Sequence, residues 1–225
     1  MTTHPDKRRA KVMELAQMRG IKIQKVSAQK LRSYVGQVVH QGVAAVTEPL
    51  PLVHFAKVLP QKRPNSSYGI WLLLDNITDP NNLGAIIRTA VCAGVKAVIF
   101  PKDRSASPTP AVSKASAGAL EHISLCRVTN LAETLKKLKT HGVWVAGLDA
   151  GAKDSLYHHD LSGPLALVVG GEEKGIRPRV KRQCDFLLSI PQRGPVSSLN
   201  ASVAVAIVVF EALRQHQNGQ AVSKG

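Results

Sequence analysis

The fold is decided by the stretch IWLLLDNITDPNNLGAIIRTAVCAGVKAVIF, residues 70–100. It begins with a continuous apolar run, Ile70–Leu74, which predicts a strand buried on both faces. After a polar turn, the pattern predicts a helix over Gly84–Ala93, ended by Gly94, and then a second apolar strand over Ala97–Phe100. Strand, helix and strand in this order indicate two parallel strands joined by a crossover helix.

The same alternation continues towards the C-terminus. Further strands are predicted at Ile123–Cys126, Val143–Leu148, Leu165–Val169 and Phe186–Ile190. Between them, helices begin near Pro110 and after Asn130, and a long helix, Leu199–Gln215, carries apolar residues on nearly all sides. We therefore expect an α/β fold, a parallel sheet with helices on both faces, in which the last helix is largely buried.

The first part of the chain has a different pattern. Residues 1–47 predict a small α/β domain, with helices over Lys7–Arg19 and after Ser27 and with strands at 21–26 and 42–46. The four prolines within 48–67 predict a linker. The expected domains are thus 1–47, a linker at 48–67, a main domain at 68–216 and a flexible tail at 217–225.

Charge points to a polyanionic partner. The chain has 30 Lys and Arg against 15 Asp and Glu, a net charge of +15. Residues 1–67 alone hold 12 basic and 3 acidic side chains, a net +9. Basic proteins bind nucleic acids because each phosphate contact releases counterions. Aromatic residues are only 4% of the chain, so the sequence does not favour a stacking platform for single-stranded bases.

Several other classes of protein are disfavoured by the sequence. The longest apolar run, Val203–Phe210, is eight residues, too short to span a membrane. Met1–Lys11 is polar, which predicts no secretion signal. The three cysteines form no Cys-x-x-Cys pair, so we expect neither a disulfide framework nor a metal site, and the expected location is the cytoplasm. The sequence has no GxGxxG, P-loop or HExxH string, which disfavours a nucleotide-binding Rossmann enzyme.

Three unusual loops follow predicted strands. Their sequences are DPNNLG at residues 79–84, GGEEKG at 170–175 and IPQRGPVSSLN at 190–200. Taken singly, each is more often a tight turn or a helix cap than a site. Because the carboxyl ends of parallel strands share one edge of the sheet, we expect the three loops to meet where such folds bind ligands.

Together these loops resemble a known family. DPNNLGAIIRTA (79–90), GGEEKG (170–175) and IPQRGPVSSLNASVA (190–204) are similar to the three motifs of the SPOUT superfamily, in its SpoU/TrmH-type branch of RNA ribose 2′-O-methyltransferases. The resemblance covers residues 70–215 in order. Residues 21–47 also resemble the small substrate-binding domain that precedes the catalytic domain, here with its first strand and helix missing, so a truncated domain is expected.

The resemblance implies a fold, a cofactor and a set of site residues. It implies a C-terminal trefoil knot, a homodimer, and S-adenosylmethionine as methyl donor. The cofactor contacts that it carries over are Gly170, Gly171, Ile190 and Leu199. The polar residues that it places in catalysis are Asn82, Arg88, Glu172, Ser198 and Asn200. The resemblance implies Arg88 as the base that takes the proton of the hydroxyl. The alternative role is that it grips a phosphate and polarises the hydroxyl, since a guanidinium stays charged. Glu172 would fix Asn82 or Arg88.

The expected activity is transfer of a methyl group to the ribose 2′-hydroxyl of a guanosine in 23S ribosomal RNA. A transfer RNA methyltransferase of the same fold is the second reading, and a non-catalytic RNA-binding protein is the third. The intact set of polar residues argues against the third reading. A further alternative is that Arg88 and Glu172 form only a salt bridge at a dimer interface.

Overall fold

The chain divides into two units, Met1–Pro49 and Leu50–Gly225. The structure is a computed structural model that describes residues 7–38, 40–60, 69–195 and 198–222. Residues 61–67 of the predicted linker, residue 68 of the predicted main domain and residues 223–225 of the predicted tail therefore lie outside the described residues.

The first unit holds two helices, α1 (Lys7–Met18) and α2 (Ala28–Val35), as predicted. The Ser27 hydroxyl accepts a hydrogen bond from the backbone N–H of Lys30 at 3.2 Å, which caps α2. The strands predicted at 21–26 and 42–46 are wrong, since no described residue of this unit belongs to a strand. The apolar alternation was misleading because a strand forms only where its backbone groups find a neighbouring strand.

The second unit is built on a seven-stranded sheet in the order β3-β2-β1-β6-β4-β7-β5. Every strand pair in it is parallel, as predicted. The strands are β1 (Ile70–Asp75), β2 (Ala97–Pro101), β3 (Ser124–Val128), β4 (Trp144–Leu148), β5 (Asp154–Ser155), β6 (Leu165–Gly170) and β7 (Phe186–Ser189). The short strand β5 was not predicted, because two residues carry no periodicity.

Helices cover both faces of the sheet. They are α3 (Pro80–Cys92), α4 (Pro110–Ala115), α5 (Leu131–Lys139), α6 (Pro178–Lys181) and α7 (Ala201–Val222). Alternate residues of β1 belong to two separate apolar clusters: Leu72 packs in one with α3 and α7, and Leu73 packs in the other with α5 and α6. This confirms the predicted sheet that is buried on both sides.

Helix α3 begins four residues before the predicted start at Gly84. The Asp79 carboxylate accepts hydrogen bonds from the backbone N–H groups of Asn81 and Asn82, at 3.2 and 3.1 Å, and so caps the helix at Pro80. Gly84 instead marks a close approach of two helices, because a Cβ there would lie 2.4 Å from the Ala115 Cβ in α4. Asn82 therefore lies in the first turn of α3 rather than in the loop.

The first half of the predicted linker packs on the second unit. The backbone N–H of Val53 donates to the Leu125 carbonyl at 2.8 Å, and the Trp71 indole donates to the Val58 carbonyl at 2.7 Å. Leu52 and Phe55 lie against the two apolar clusters. The segment forms one short 3₁₀ helix, Phe55–Lys57, and its apolar residues gain by burial.

The last helix is longer and more exposed than predicted. Helix α7 continues to Val222, through the first six residues of the predicted tail. The side chains of Val203 and Phe210 are each 46% exposed, although the sequence predicts burial all round. Within the described residues, no helix is long and apolar enough to cross a membrane.

Candidate active site

The pairing of β1 with β6 brings the first two loops together. Asp75, the last residue of β1, is in register with Gly170, the last residue of β6. The backbone N–H of Gly171 then donates to the Asp75 carbonyl at 2.9 Å. The loops that leave these strands therefore start side by side at the carboxyl edge of the sheet, where α/β folds bind ligands.

Glu172 joins all three predicted loops. Its Oε1 atom accepts hydrogen bonds from Asn82 Nδ2 at 3.1 Å, from Asn200 Nδ2 at 2.7 Å and from the backbone N–H of Ala201 at 3.1 Å. Asn200 Nδ2 also donates to Asn82 Oδ1 at 2.9 Å. The structure thus brings Asn82, Glu172 and Asn200 into one hydrogen-bonded cluster, as the sequence predicts for Glu172 and Asn82.

Asn200 is held from both sides of its amide. Its Oδ1 atom accepts from the Ser202 backbone N–H at 2.9 Å and from the Ser202 hydroxyl at 2.6 Å, so Asn200 caps α7. The opposite end of the amide donates to Glu172 and Asn82. Asn200 therefore serves both as a helix cap and as part of the hydrogen-bonded cluster.

Two cavities lie beside this cluster. The larger, of about 720 Å³, is lined by Asn82 and Glu172 and by cationic residues of neighbouring loops. The smaller, of about 260 Å³, lies against Ser198 and the four predicted cofactor residues, Gly170, Gly171, Ile190 and Leu199. Gly171, Glu172 and Ala201 line both cavities and so form their common wall.

The smaller cavity has the character of a cradle for S-adenosylmethionine. A Cβ at Gly170 would lie 2.1 Å from the Gly175 carbonyl carbon, and one at Gly171 would lie 2.3 Å from the Asn76 oxygen. Only glycine fits at these two positions, so the backbone itself forms the wall. Leu148 and Leu188 add apolar surface, which suits an adenosine, and the residues present fit the cofactor.

A carboxylate lies at the rim of the smaller cavity. The hydrogen bond from Lys181 lowers the pKa of the Asp149 carboxyl below its ordinary value, and the Gly151 backbone N–H adds to this against the opposing effect of burial. Asp149 is therefore charged at neutral pH. Asp149 lines the smaller cavity, so its carboxylate can face an amino or sulfonium cation there.

The sequence analysis missed the ion pair between Asp75 and Arg177. The Asp75 side chain is fully buried. Its Oδ1 accepts from Arg177 Nε and Nη2, each at 2.7 Å, and its Oδ2 accepts from the Arg177 backbone N–H at 2.8 Å. Together with the bond from Gly171, this pair fixes both ends of the loop that carries Glu172. A charged residue at the end of an apolar strand was the only sequence signal for it.

Two predicted catalytic residues lie outside this hydrogen-bonded cluster: Ser198, which lines the smaller cavity, and Arg88. Arg88 is the one of the two that lines no part of the site. It lies on α3, is exposed, and lines neither cavity. Among the described residues, no hydrogen bond or ion pair uses its guanidinium. The alternative of a salt bridge between Arg88 and Glu172 is not formed within the described chain. In the same described part, no three His, Cys, Asp or Glu side chains are placed to hold a metal ion.

Comparison with known proteins identifies the family. Residues 69–210 match the SpoU rRNA Methylase family, and residues 2–53 match the family of RNA 2′-O ribose methyltransferase substrate binding. The 23S rRNA (guanosine-2′-O-)-methyltransferase RlmB of Acinetobacter baylyi is 45% identical over 213 residues, which cover 93% of this chain and 85% of that one. RlmB of Pseudomonas putida is 47% identical over 179 residues, which cover 80% of this chain and 72% of that one.

A solved structure supports the fold and the cofactor class. The SpoU methyltransferase AviRb from Streptomyces viridochromogenes, in complex with the cofactor AdoMet, superposes with a TM-score of 0.64 at 28% identity. The match covers 69% of this chain and 63% of that chain. The family match covers more than half of this chain, and two relatives are more than 40% identical to it along most of their length. This chain therefore belongs to the SpoU rRNA Methylase family.

Proposed function

We propose that this chain transfers a methyl group from S-adenosylmethionine to the ribose 2′-hydroxyl of a guanosine in 23S ribosomal RNA. The observation that carries this function is the position of Glu172. Glu172 lies in the common wall of the two cavities, and its carboxylate accepts hydrogen bonds from Asn82, Asn200 and Ala201. A donor in one cavity and an acceptor in the other would meet at that wall. Its substrate would place the enzyme in the cytoplasm.

Gly170, Gly171, Ile190 and Leu199 would hold S-adenosylmethionine in the smaller cavity, with Asp149 facing its cationic end. When bound, this cofactor supplies an electrophilic methyl group on a sulfonium. The chain's part is then to hold the hydroxyl in line with that methyl, since positioning supplies much of the rate of a displacement reaction. Asn82 is suited to this, because it lines the larger cavity, its amide is fixed by Glu172 and Asn200, and its second Nδ2 hydrogen is left for a ligand. Asn200 would hold Asn82 and Glu172 in place.

The ribose hydroxyl must also lose its proton. The Oε1 atom of Glu172 is already occupied by three donors, so Oε2, which no described hydrogen bond uses, would be the carboxylate oxygen that accepts this proton. Ser198 lies on the smaller cavity and can orient groups there by hydrogen bonds. Arg88 would bind a phosphate of the RNA and stabilise the developing oxyanion, since its guanidinium stays protonated.

Arg88 would reach this site from a second copy of the chain. We include a homodimer in the proposal because Arg88 is exposed and lines neither cavity of its own chain. The packing of α3 against α7 supports this, because α7 also presents the half-exposed side chains of Val203 and Phe210. Pairing the two helices with those of a second copy would cover this apolar surface.

The trefoil knot is part of the proposal. Its support is the tight loop after β6, where Gly171 and Gly175 form a backbone bridge, and the hydrogen bond that Asn200, just before α7, donates to Glu172 in that loop. The N-terminal residues 1–47 would bind RNA and residues 68–216 would carry the reaction. The support for this division is the net charge of +9 within residues 1–67 and the family match of residues 2–53.

The proposed function is tested with labelled S-adenosylmethionine and separate pools of ribosomal and transfer RNA. Label in 23S ribosomal RNA supports the proposal. Label confined to transfer RNA supports the second reading, in which the same site acts on another RNA. If the protein binds RNA but transfers no label to either pool, the non-catalytic reading takes its place.

A further inference from the structure

Arg104 has an unusual backbone conformation beside the larger cavity. Its φ angle is 60°, in the left-handed region that glycine and asparagine adopt readily and arginine does not. The loop around it is fastened on both sides: the Lys102 N–H donates to the Val128 carbonyl at 2.9 Å, and the Ala106 N–H donates to the Ile77 carbonyl at 2.8 Å. A strained residue that its surroundings hold in place is often found at a ligand site.

The larger cavity is lined by three carboxylates and three cations, so its preference for an anion depends on which of these groups are free of partners. Among its acidic residues, Asp79 is occupied by the capping bonds of α3 and Glu172 by its three donors. Only Glu173 has a carboxylate that no described contact uses. Arg104 and Lys174, by contrast, line the cavity and have no partner among the described residues.

Arg177 adds a third cation to the same cavity. The buried Asp75 holds its Nε and Nη2 atoms, so its Nη1 edge is the part left to contact a ligand. About a third of the Arg177 side chain is exposed, 33%. The three cations therefore come from two loops, Arg104 from the loop after β2 and Lys174 and Arg177 from the loop after β6, and all three line the cavity with Gly171, Glu172 and Ala201.

We propose that Arg104 binds a backbone phosphate next to the target ribose, and that Lys174 and Arg177 complete this phosphate site. The inference rests on the proposed function, because the ribose is placed at the common wall of the two cavities. A planar guanidinium can bind two phosphate oxygens at once. Arg104 would hold the phosphate on its own side of the cavity. This contact would determine which face of the nucleotide meets Asn82 and Glu172.

The test separates this role from backbone strain and from general charge. Arg104→Asn removes the guanidinium but keeps a residue that accepts the left-handed conformation, so the melting temperature is expected to stay unchanged. Lys102→Asn is the matched control, because it removes the same charge from the same loop at a residue that lines neither cavity. Affinity for a 23S ribosomal RNA fragment is measured for both variants over a range of salt concentrations.

Arg104→Asn is expected to weaken RNA binding by about tenfold or more and to reduce the salt slope by about one, as for the loss of one phosphate contact. Affinity for S-adenosylmethionine should be unchanged, since Arg104 does not line the smaller cavity. Lys102→Asn should change RNA affinity by less than about twofold. Arg104→Lys should recover the salt slope but only part of the affinity, because an ammonium cannot replace the planar fork.

Three outcomes would overturn the inference. The first is wild-type RNA affinity in Arg104→Asn, and the second is an equal loss of RNA affinity in Lys102→Asn. The third is a loss of RNA affinity in Arg104→Asn together with weaker S-adenosylmethionine binding and a lower melting temperature. Should Arg104→Asn unfold, Arg104→Gly provides the same comparison on a backbone without strain. These readouts do not need methyl transfer. A wild type that transfers no methyl group to RNA contradicts the proposed function, whereas an active wild type with an unaffected Arg104→Asn variant contradicts only this inference.

Discussion

Asn200 Nδ2 donates a hydrogen bond of 2.9 Å to Asn82 Oδ1, although the two residues are 118 positions apart in the chain. The same nitrogen donates to Glu172 Oε1 at 2.7 Å. Each of the three motifs has an ordinary explanation as a turn or a cap when it is considered alone. Their polar side chains form one cluster because β6 inserts between β1 and β4 in the sheet.

Loss of the Glu172 carboxylate should damage both the cluster and the reaction. Glu172→Ala leaves three donors without their acceptor, so we expect the free energy of unfolding to fall by about 1 kcal/mol and methyl transfer to fall by about 100-fold or more. Glu172→Gln keeps an acceptor oxygen and should recover the stability but only part of the transfer. Urea denaturation and single-turnover rates measure the two effects.

Glu173→Ala is the matched control for stability, since no described hydrogen bond uses that carboxylate. Its unfolding curve should coincide with that of the wild type. Wild-type stability and turnover in Glu172→Ala would show that the cluster does not hold the site together.

Arg88 should act on the reaction and not on the cofactor. Arg88→Ala is expected to raise the barrier to methyl transfer by about 2–4 kcal/mol. Affinity for S-adenosylmethionine should hardly change, because Arg88 lines neither cavity. Arg88→Lys should rescue little, and Asn200→Ala should weaken both binding and turnover. Calorimetry and single-turnover rates separate the two effects, and near-normal turnover in Arg88→Ala would remove it from catalysis.

Mixing two inactive variants tests whether Arg88 works across a dimer. In a dimer of one Arg88→Ala chain and one Asn200→Ala chain, one site receives both intact residues and the other receives neither. Random exchange of subunits should therefore restore roughly a quarter of wild-type turnover. No gain over the two separate variants would place Arg88 in the same site as its own Asn200.

Arg177 should contribute strongly to stability through its buried partner. Arg177→Ala leaves the fully buried Asp75 carboxylate with only the backbone N–H of residue 177. We expect a loss of about 3 kcal/mol in the free energy of unfolding, at the low end for a broken buried pair because Arg177 is partly exposed. Lys136→Ala, which breaks an exposed pair with Glu133 in α5, is the control and should be near neutral. Equal effects of the two substitutions would contradict the structural role of Asp75.

Acid stability should depend on Lys181 through Asp149. The folded state lowers the pKa of Asp149, chiefly by the hydrogen bond from Lys181. The unfolded state therefore binds a proton more readily as the pH falls, so this contribution to stability is present above the ordinary pKa of an aspartate, about 3.9, and is lost below it. Lys181→Met should raise the pKa of Asp149 and reduce this contribution.

Carboxyl titration by NMR and urea denaturation from about pH 6 to pH 2 measure both effects. Lys136→Met, which removes the exposed partner of Glu133, is the control and should leave the acid limb of the stability curve unchanged. An Asp149 titration that does not move in Lys181→Met would contradict the assigned cause.

The second unit was largely predictable because its strands are apolar throughout and its helices start at clear caps. The Asn130 side chain, for example, accepts from the Ala132 and Glu133 N–H groups as its sequence pattern indicates. The first unit was less predictable, since the apolar residues at 21–26 gain no strand partner. The start of α3 was missed because Asp79 was assigned to the turn and not to the cap.

The site was predictable only in part. The motifs predicted correctly that Asn82, Glu172 and Asn200 lie close together. The local sequence pattern did not predict the ion pair between Asp75 and Arg177, which are 102 residues apart. Nor could it find Arg104, whose significance lies in its backbone angle and in the cavity beside it. Both depend on which strands are adjacent in the sheet, and periodicity within one segment does not report that.

The most direct test of the central claim is to identify the atom that receives the methyl group. Purified 23S ribosomal RNA is incubated with the protein and trideuteromethyl S-adenosylmethionine, digested to nucleosides and analysed by mass spectrometry. We predict the label in 2′-O-methylguanosine, and its loss with Arg88→Ala and Glu172→Ala. Label on a guanine base, or no label from a protein that binds both the cofactor and the RNA, would contradict the assignment of this site to ribose methylation.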